Sequence, residues 1–175
     1  MKTLKKPLSR VARRQSGIGL VEILVSLLVL AIGILGFAGL QLRALNSTGE
    51  SHYRSQAMAI AQDLTERVAV NNLVPERYTN PANWPANPVT SGVFPQTCVG
   101  TGKNCTANNI ADWDIDQIAW QAGHLLPDGR SLMRGCNGSA AVCIIVSWNE
   151  QDPDECEDDD GAVFGLDCVV LEVVL

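Results

Sequence analysis

The chain has 175 residues, 46% hydrophobic and 18% charged, with 19 acidic against 13 basic side chains and a formal charge of −6. This length holds one ordinary domain plus one hydrophobic segment. The acidic balance argues against a nucleic-acid ligand, which needs a cationic surface. Charge is unevenly placed: Lys2, Lys5, Lys6, Arg10, Arg13 and Arg14 precede position 17 with no acid among them. The remainder holds seven basic against 19 acidic residues, a formal charge of −12.

From Ile23 to Leu42 the chain runs 20 residues without a charge, enough for a helix of about 30 Å, one hydrocarbon core. One carboxylate, Glu22, stands at the start of this run. A carboxylate inside an apolar helix costs about 2.5–3.5 kcal/mol on insertion scales, so Glu22 needs a partner or must reach water at the interface. The basic flank predicts a cytoplasmic N-terminus and places everything after the helix outside. All six cysteines (Cys98, Cys105, Cys136, Cys143, Cys156, Cys168) lie on that side. An even number in an exported region reads as disulfides, with 15 possible connectivities. A metal cluster is the weaker alternative, since there is no C-x-x-C pair and His52 and His124 sit at no zinc-like spacing.

A secretory signal places its small-residue cleavage site after the apolar core. Here Gln41-Leu42-Arg43 follows the core, and the small residue, Gly17, precedes it. Gly17 with Ile18-Gly19-Leu20-Val21-Glu22-Ile23 resembles the cleavage motif of type IV prepilins: a glycine, an apolar first residue, and a glutamate fifth after the cut. The family more often has phenylalanine or methionine at Ile18 and threonine at Gly19; Gly17 and Glu22 match. The resemblance implies removal of residues 1–17 by a membrane aspartyl peptidase and N-methylation of Ile18. It also implies that Glu22 meets the N-terminal amine of a neighbouring subunit. Gly33, Gly36 and Gly39 either form a small-residue packing face or soften the helix, at roughly 0.8–1 kcal/mol per glycine; related pilins unwind here in the fibre.

Beyond the membrane segment, Leu45, Gly49, Tyr53, Ala57, Ile60, Leu64 and Val68 advance in steps of three or four. That spacing predicts one helix continuing to about Val70 and packed on a sheet, ended by Asn71-Asn72 and Pro75. His52 beside the stripe reads as a structural histidine. Residues 75–110 hold five prolines and little periodicity, and read as a long loop with Trp84 as a core plug. From Asp112, taken as the cap, a short helix is expected with Trp113, Gln117, Trp120, Gln121 and Leu125 on one side, ended by Pro127-Asp128-Gly129. Arg130–Cys136 and Ala140–Trp148 read as a hairpin around Asn137-Gly138, and Cys168–Leu175 as a final strand. Cys98 and Cys105 could close a local loop, Cys136 and Cys143 the hairpin, and Cys156 and Cys168 the loop before the last strand. Asp116, Trp120, Leu126-Pro127-Asp128-Gly129 and Trp148 resemble the V-type pilus modification proteins, a subgroup of minor pilins.

Eight carboxylates crowd between Glu150 and Asp160, expected to be solvated or a contact surface. Asp158, Asp160, Gly161 and Asp167 match positions 3, 5, 6 and 12 of an EF-hand loop, a weak calcium candidate because position 1 is Cys156. There is no nucleophile elbow, P-loop, H-E-x-x-H or dinucleotide fingerprint. No enzymatic activity and no cofactor are expected.

The expected fold is α+β and pilin-like: a long N-terminal helix, half transmembrane, against a small antiparallel sheet in a disulfide-containing head. The expected segments are the leader 1–17, the transmembrane half-helix 18–42 and the extracytoplasmic head 43–175. The resemblance implies a minor pilin that helps prime a type IV pilus, the fibre of twitching motility. Its partners would be the prepilin peptidase/methyltransferase, other minor and major pilins and the inner-membrane assembly platform. Before assembly it would cross the inner membrane once; afterwards it would lie in the surface fibre. The alternatives are a pseudopilin of type II secretion, which shares the motif, and a signal-anchored periplasmic enzyme or binding protein.

Overall fold

A computed structural model describes Gly17 and residues 19–174, with Asn46 described for its backbone alone. The chain separates into two units at Asn46/Ser47. Helix α1, Leu20–Val70, contributes to both. In the first unit, every large apolar side chain from Leu20 to Leu45 is exposed, from 49% at Ile23 to 76% at Leu20. Apolar side chains point in all directions, so no single face could be buried by docking on a soluble core.

The second unit holds the remaining elements. They are α2 (Pro75–Thr79), a 3₁₀ turn (Pro81–Asn83), α3 (Ala107–Leu125), β1 (Arg130–Gly135), β2 (Val142–Ser147), a second 3₁₀ turn (Pro153–Cys156), β3 (Glu157–Asp158), β4 (Gly161–Ala162) and β5 (Cys168–Val173). The main sheet is antiparallel in the order β1-β2-β5, and β3 pairs with β4 as a small separate ribbon. The architecture is α+β and pilin-like.

Register fixes the two faces of the sheet. Met133 lies opposite Ile144 and Ile144 opposite Leu171; Leu132 lies opposite Ile145 and Ile145 opposite Val170. The alternation along each strand therefore puts Met133, Ile144, Val146 and Trp148 on one face. Ala57, Ile60, Ala61, Leu64 and Val68 of α1 join this core and are at most 2% exposed. Each large aliphatic side chain so buried contributes about 1.5–3 kcal/mol. Docking starts later than the apolar stripe suggests: Tyr53 is partly buried and Gly49 intermediate, while Leu45 is 67% exposed. Arg54 marks the helix–sheet seam. Its guanidinium lies 5.4 Å from the centre of the Trp148 ring and donates to the carbonyls of Cys168 and Leu166.

Polar bonds order the rest. Arg67 of α1 donates to Asp63 (2.8 Å), to Asp114 (2.9 Å) and to Gln117 (2.7 Å). Burial alone would lower its pKa; the hydrogen bonds and charges of Asp63 and Asp114 outweigh that and raise it. The Tyr78 hydroxyl donates to the other Asp114 oxygen and accepts from Asn71, so α1, α2 and α3 meet at one buried cluster. Burial, then the bond to Asp114, pushes the Tyr78 hydroxyl well above its usual range.

Several elements differ from the sequence expectation. Helix α3 starts at Ala107, five residues before Asp112, because Thr106 caps it: its hydroxyl accepts from Asn109 N–H, and Asn109 returns a bond to the Thr106 N–H. Asp112 is therefore inside the helix, paired with Arg77 at 2.6 Å. The buried face of α3 is Ala111, Asp114, Ile115, Gln117, Ile118, Ala119 and Ala122; Leu125 is 49% exposed. The loop before α3 opens with two short helical turns, α2 and the 3₁₀ turn at Pro81–Asn83, and is then pinned by its carbonyls. Trp113 and Gln117 both donate to Pro95, and Trp120 donates to Gly92. Trp84 is a buried plug, 6% exposed, donating to the Tyr78 carbonyl.

The hairpin strands end at Gly135 and Val142, leaving a six-residue connection rather than a tight Asn137-Gly138 turn. Asn137 is drawn instead toward β3, where its N–H donates to the Glu157 carboxylate at 2.7 Å. Replacing Asp114 by Ala is expected to destabilise the head by about 3 kcal/mol, since it strands Arg67 and the Tyr78 hydroxyl. Urea unfolding of the full chain in detergent, followed by tryptophan fluorescence, measures it.

Candidate assembly site

The assembly motif begins at Gly17, exposed and outside regular structure, and enters the helix at Leu20. Gly19 supplies the first helical acceptors: its carbonyl receives the N–H of Glu22 (3.0 Å) and of Ile23 (3.3 Å). Glu22 thus sits in the first turn of α1, where unpaired backbone N–H groups favour a negative charge. Its own carbonyl receives the Ser26 hydroxyl at 2.7 Å. That bond commits the Ser26 hydroxyl to the backbone, and the Glu22 carboxylate has no side-chain hydrogen bond or ion pair among the described residues. Ile18, expected to become the methylated terminus, and the leader residues 1–16 lie outside the described residues.

The site is therefore one carboxylate at the entry of an apolar cylinder that no other described residue covers. Such a surface has two suitable environments, a bilayer core or a bundle of like helices. In either, the Glu22 carboxylate needs a partner or access to water at the interface. The described geometry offers association, with no cluster that could perform acid–base or nucleophilic chemistry. His52 meets Gln56 at 3.0 Å, and His124 stacks on Trp120 at 3.9 Å with its Nδ1 at the Trp120 carbonyl. Both histidines are thus in local structural contacts.

The cysteines form Cys98–Cys105, Cys136–Cys143 and Cys156–Cys168, with Cα–Cα separations of 6.0, 5.0 and 6.2 Å, and no cysteine is free. Cys136, Cys143 and Glu157 are the one cluster of possible metal ligands found among the described residues. Its two sulfurs are joined to each other, so it is not a thiolate site.

The acidic segment divides. Asp158 accepts the Asp160 N–H across the β3–β4 turn, and Asp167 accepts from Asn149. Asp158, Asp160 and Asp167 do not form a close ligand group among the described residues, and β5 follows Asp167 where an EF-hand has its exiting helix. Glu157 departs from the expectation of a solvated run: it is 4% exposed and pairs with Arg134 at 3.1 Å. The sequence offered no spacing signal for that pair, because Arg134 and Glu157 lie on separate elements.

The residues resembling the V-type group are mainly architectural. Leu126 and Trp148 are buried, Asp128 takes a left-handed turn conformation (φ 49°), and a Cβ at Gly129 would strike the Ala122 carbonyl. Asp116 is exposed, yet partial desolvation, then the nearby Asp112 charge, raises its pKa. Millimolar calcium is expected to leave the melting temperature of the full chain unchanged; a rise of several degrees would reinstate the acidic loop as a calcium site.

Comparison with known families agrees with this geometry. A model described as the prokaryotic N-terminal methylation motif matches residues 12–38, and one described as type IV pilin Tt1218 matches residues 39–116. No curated protein and no solved structure matches the chain. The methylation motif implies processing by prepilin peptidase and assembly with other pilins, and the family points to a structural role. With the motif, the exposed apolar helix and the disulfide-bonded α+β head in place, the chain is similar to the type IV prepilins, and its N-terminal helix is long and apolar enough to cross a membrane.

Proposed function

We propose that the protein is a minor pilin of a type IV pilus, close to the V-type modification group, and that it helps prime fibre assembly. The observation that carries the reading is the Gly17-to-Glu22 motif placed immediately before a charge-free helix exposed on every side. Peptidase cleavage after Gly17 removes the basic leader and creates a cationic amine at Ile18, which is then methylated. Glu22 pairs with the amine of a neighbouring subunit, so the two charges that each helix would otherwise carry into hydrocarbon neutralise one another.

Before assembly, residues 18–42 span the inner membrane with the N-terminus in the cytoplasm; afterwards they lie in the fibre core and the head faces outward. The acidic head supports a minor rather than a major role. From Ser47 onward it has six basic against 18 acidic residues, and stacking many identical heads would bring like charges together. The proposed partners are the peptidase, the assembly platform and other minor and major pilins. A type II secretion pseudopilin shares the motif, and detection in sheared surface fibres separates the two.

Gly17→Phe is expected to block processing, so an immunoblot retains the full-length band and mass spectrometry finds no methylated Ile18. Glu22→Ala is expected to be cleaved normally yet to fall by about tenfold or more in sheared fibres, the loss that corresponds to about 1.4 kcal/mol of pairing energy. Full piliation in that variant would overturn the pairing role.

A further inference from the structure

Glu157 is 4% exposed and Cys143 is fully buried, and the Cys143 Sγ lies 3.3 Å from the Glu157 Oε1. A disulfide sulfur carries no proton, so this approach sets a carboxylate against sulfur with no hydrogen bond between them. The oxidised pair alone gives no reason for the contact. Both sulfurs of Cys136 and Cys143 and a Glu157 oxygen lie within 4.8 Å of one another. The carboxylate is itself held at both oxygens: Oε1 accepts the Asn137 N–H at 2.7 Å, and Oε2 faces Arg134 at 3.1 Å.

Cysteines leave the ribosome as thiols, so the head passes through a reduced state before its disulfides close. In that state Cys136 and Cys143 supply two thiolates beside the carboxylate. Two sulfurs and one oxygen suit zinc; magnesium and calcium take oxygen ligands, and copper(I) favours soft sulfur alone. Zn–S bonds of about 2.3 Å at a tetrahedral angle set two sulfurs about 3.8 Å apart. With the Cα atoms 5.0 Å apart, side-chain rotation reaches that separation without a change of strand register. Two thiolates, Glu157 and its partner Arg134 together carry a formal charge of −2, which zinc cancels. A buried site without net charge avoids most of the desolvation penalty. Carboxylates that bind zinc are in turn hydrogen-bonded by their surroundings, and Asn137 and Arg134 provide those bonds.

We propose that the reduced head binds one zinc ion through the Cys136 and Cys143 sulfurs and one Glu157 oxygen, and that the ion guards this pair until it is oxidised. Binding releases the two thiol protons and leaves the fourth zinc position to water. A disulfide-bearing oxidant then removes two electrons. The S–S bond forms between Cys136 and Cys143, the oxidant's own S–S bond breaks to two thiolates, and zinc departs. The ion also narrows the choice of partners. Six free thiols have 15 pairings, whereas the four that remain once Cys136 and Cys143 are held have three. This inference goes beyond the fibre reading above and does not depend on it.

The test reduces the full-length protein in detergent with a phosphine, adds one equivalent of zinc, and maps iodoacetamide alkylation by mass spectrometry. Zinc is expected to slow alkylation of Cys136 and Cys143 about tenfold or more, since a metal-bound thiolate is a poorer nucleophile. Cys98, Cys105, Cys156 and Cys168 are expected to react as they do without zinc. Cobalt in place of zinc is expected to give a thiolate-to-metal charge-transfer band, absent from the oxidised protein. Glu157→Gln is expected to weaken zinc binding about tenfold or more in competition with a chromogenic chelator, while Asp159→Asn on the exposed turn leaves it unchanged. The proposal is overturned if zinc shields none of the six thiols, if it shields all six alike, or if Glu157→Gln and Asp159→Asn bind zinc equally. Should Glu157→Gln lose protease resistance, the alkylation map of the unsubstituted chain decides the matter alone.

Discussion

A stretch of 20 uncharged residues that no other described residue covers governs this protein. In a soluble domain an apolar helix face is buried by the elements that follow it in sequence. Here the side chains from Leu20 to Leu45 remain exposed on all sides, so the energy that would stabilise a core is available only to lipid or to other helices. Glu22 turns that general preference into a specific one. A featureless cylinder would pack in many registers, whereas a carboxylate at one fixed position disfavours every register that leaves it unpaired and away from water.

The second half of α1 meets the opposite condition. From Tyr53 onward its stripe carries small residues, Ala57 and Ala61, between larger ones, and these allow the helix to lie close on the sheet. Arg54 and Arg67 then act at two points along that contact, the first on the β5 carbonyls and the second on α3. Because Asp114 serves both Arg67 and Tyr78, three helices share one carboxylate. The disulfides close short loops, and two of them reach the interior: Cys143, Cys156 and Cys168 are buried in the core, whereas Cys98–Cys105 lies outside it. The interior is thus fixed by packing, polar bonds and covalent links together.

How much of this was readable from the residues depends on whether the signal was local. The membrane run, Glu22 and Gly17 lie within one continuous segment, and the cysteines separated by seven, seven and twelve positions pair with their neighbours. The start of α3 was misread because Thr106 and Asn109 make a capping box with asparagine where the usual sequence pattern has glutamate or glutamine; Asp112 two turns on looked the better cap. Glu157 was submerged in a run of eight carboxylates, and only the fold shows that it alone is drawn inward by Arg134. The cavity lined by Trp84, Arg130 and Pro153 was invisible for a different reason. Its walls come from the 81–86 turn, β1 and the 152–154 turn, three segments whose meeting no periodicity announces.

The placement of charge joins these observations. The basic residues are concentrated in the leader and the acids in the head, so removal of the leader would leave a strongly acidic subunit attached to a neutral helix. Helix association is then nearly indifferent to which subunit is the neighbour, since apolar surface and a Glu22–amine pair would be common to all chains bearing the motif. Discrimination has to come from the head. There, long-range repulsion between acidic surfaces disfavours identical neighbours within a Debye length of about 8 Å at physiological salt. Affinity located in the helix and choice located in the head is a division of labour that lets one assembly motif serve many subunits.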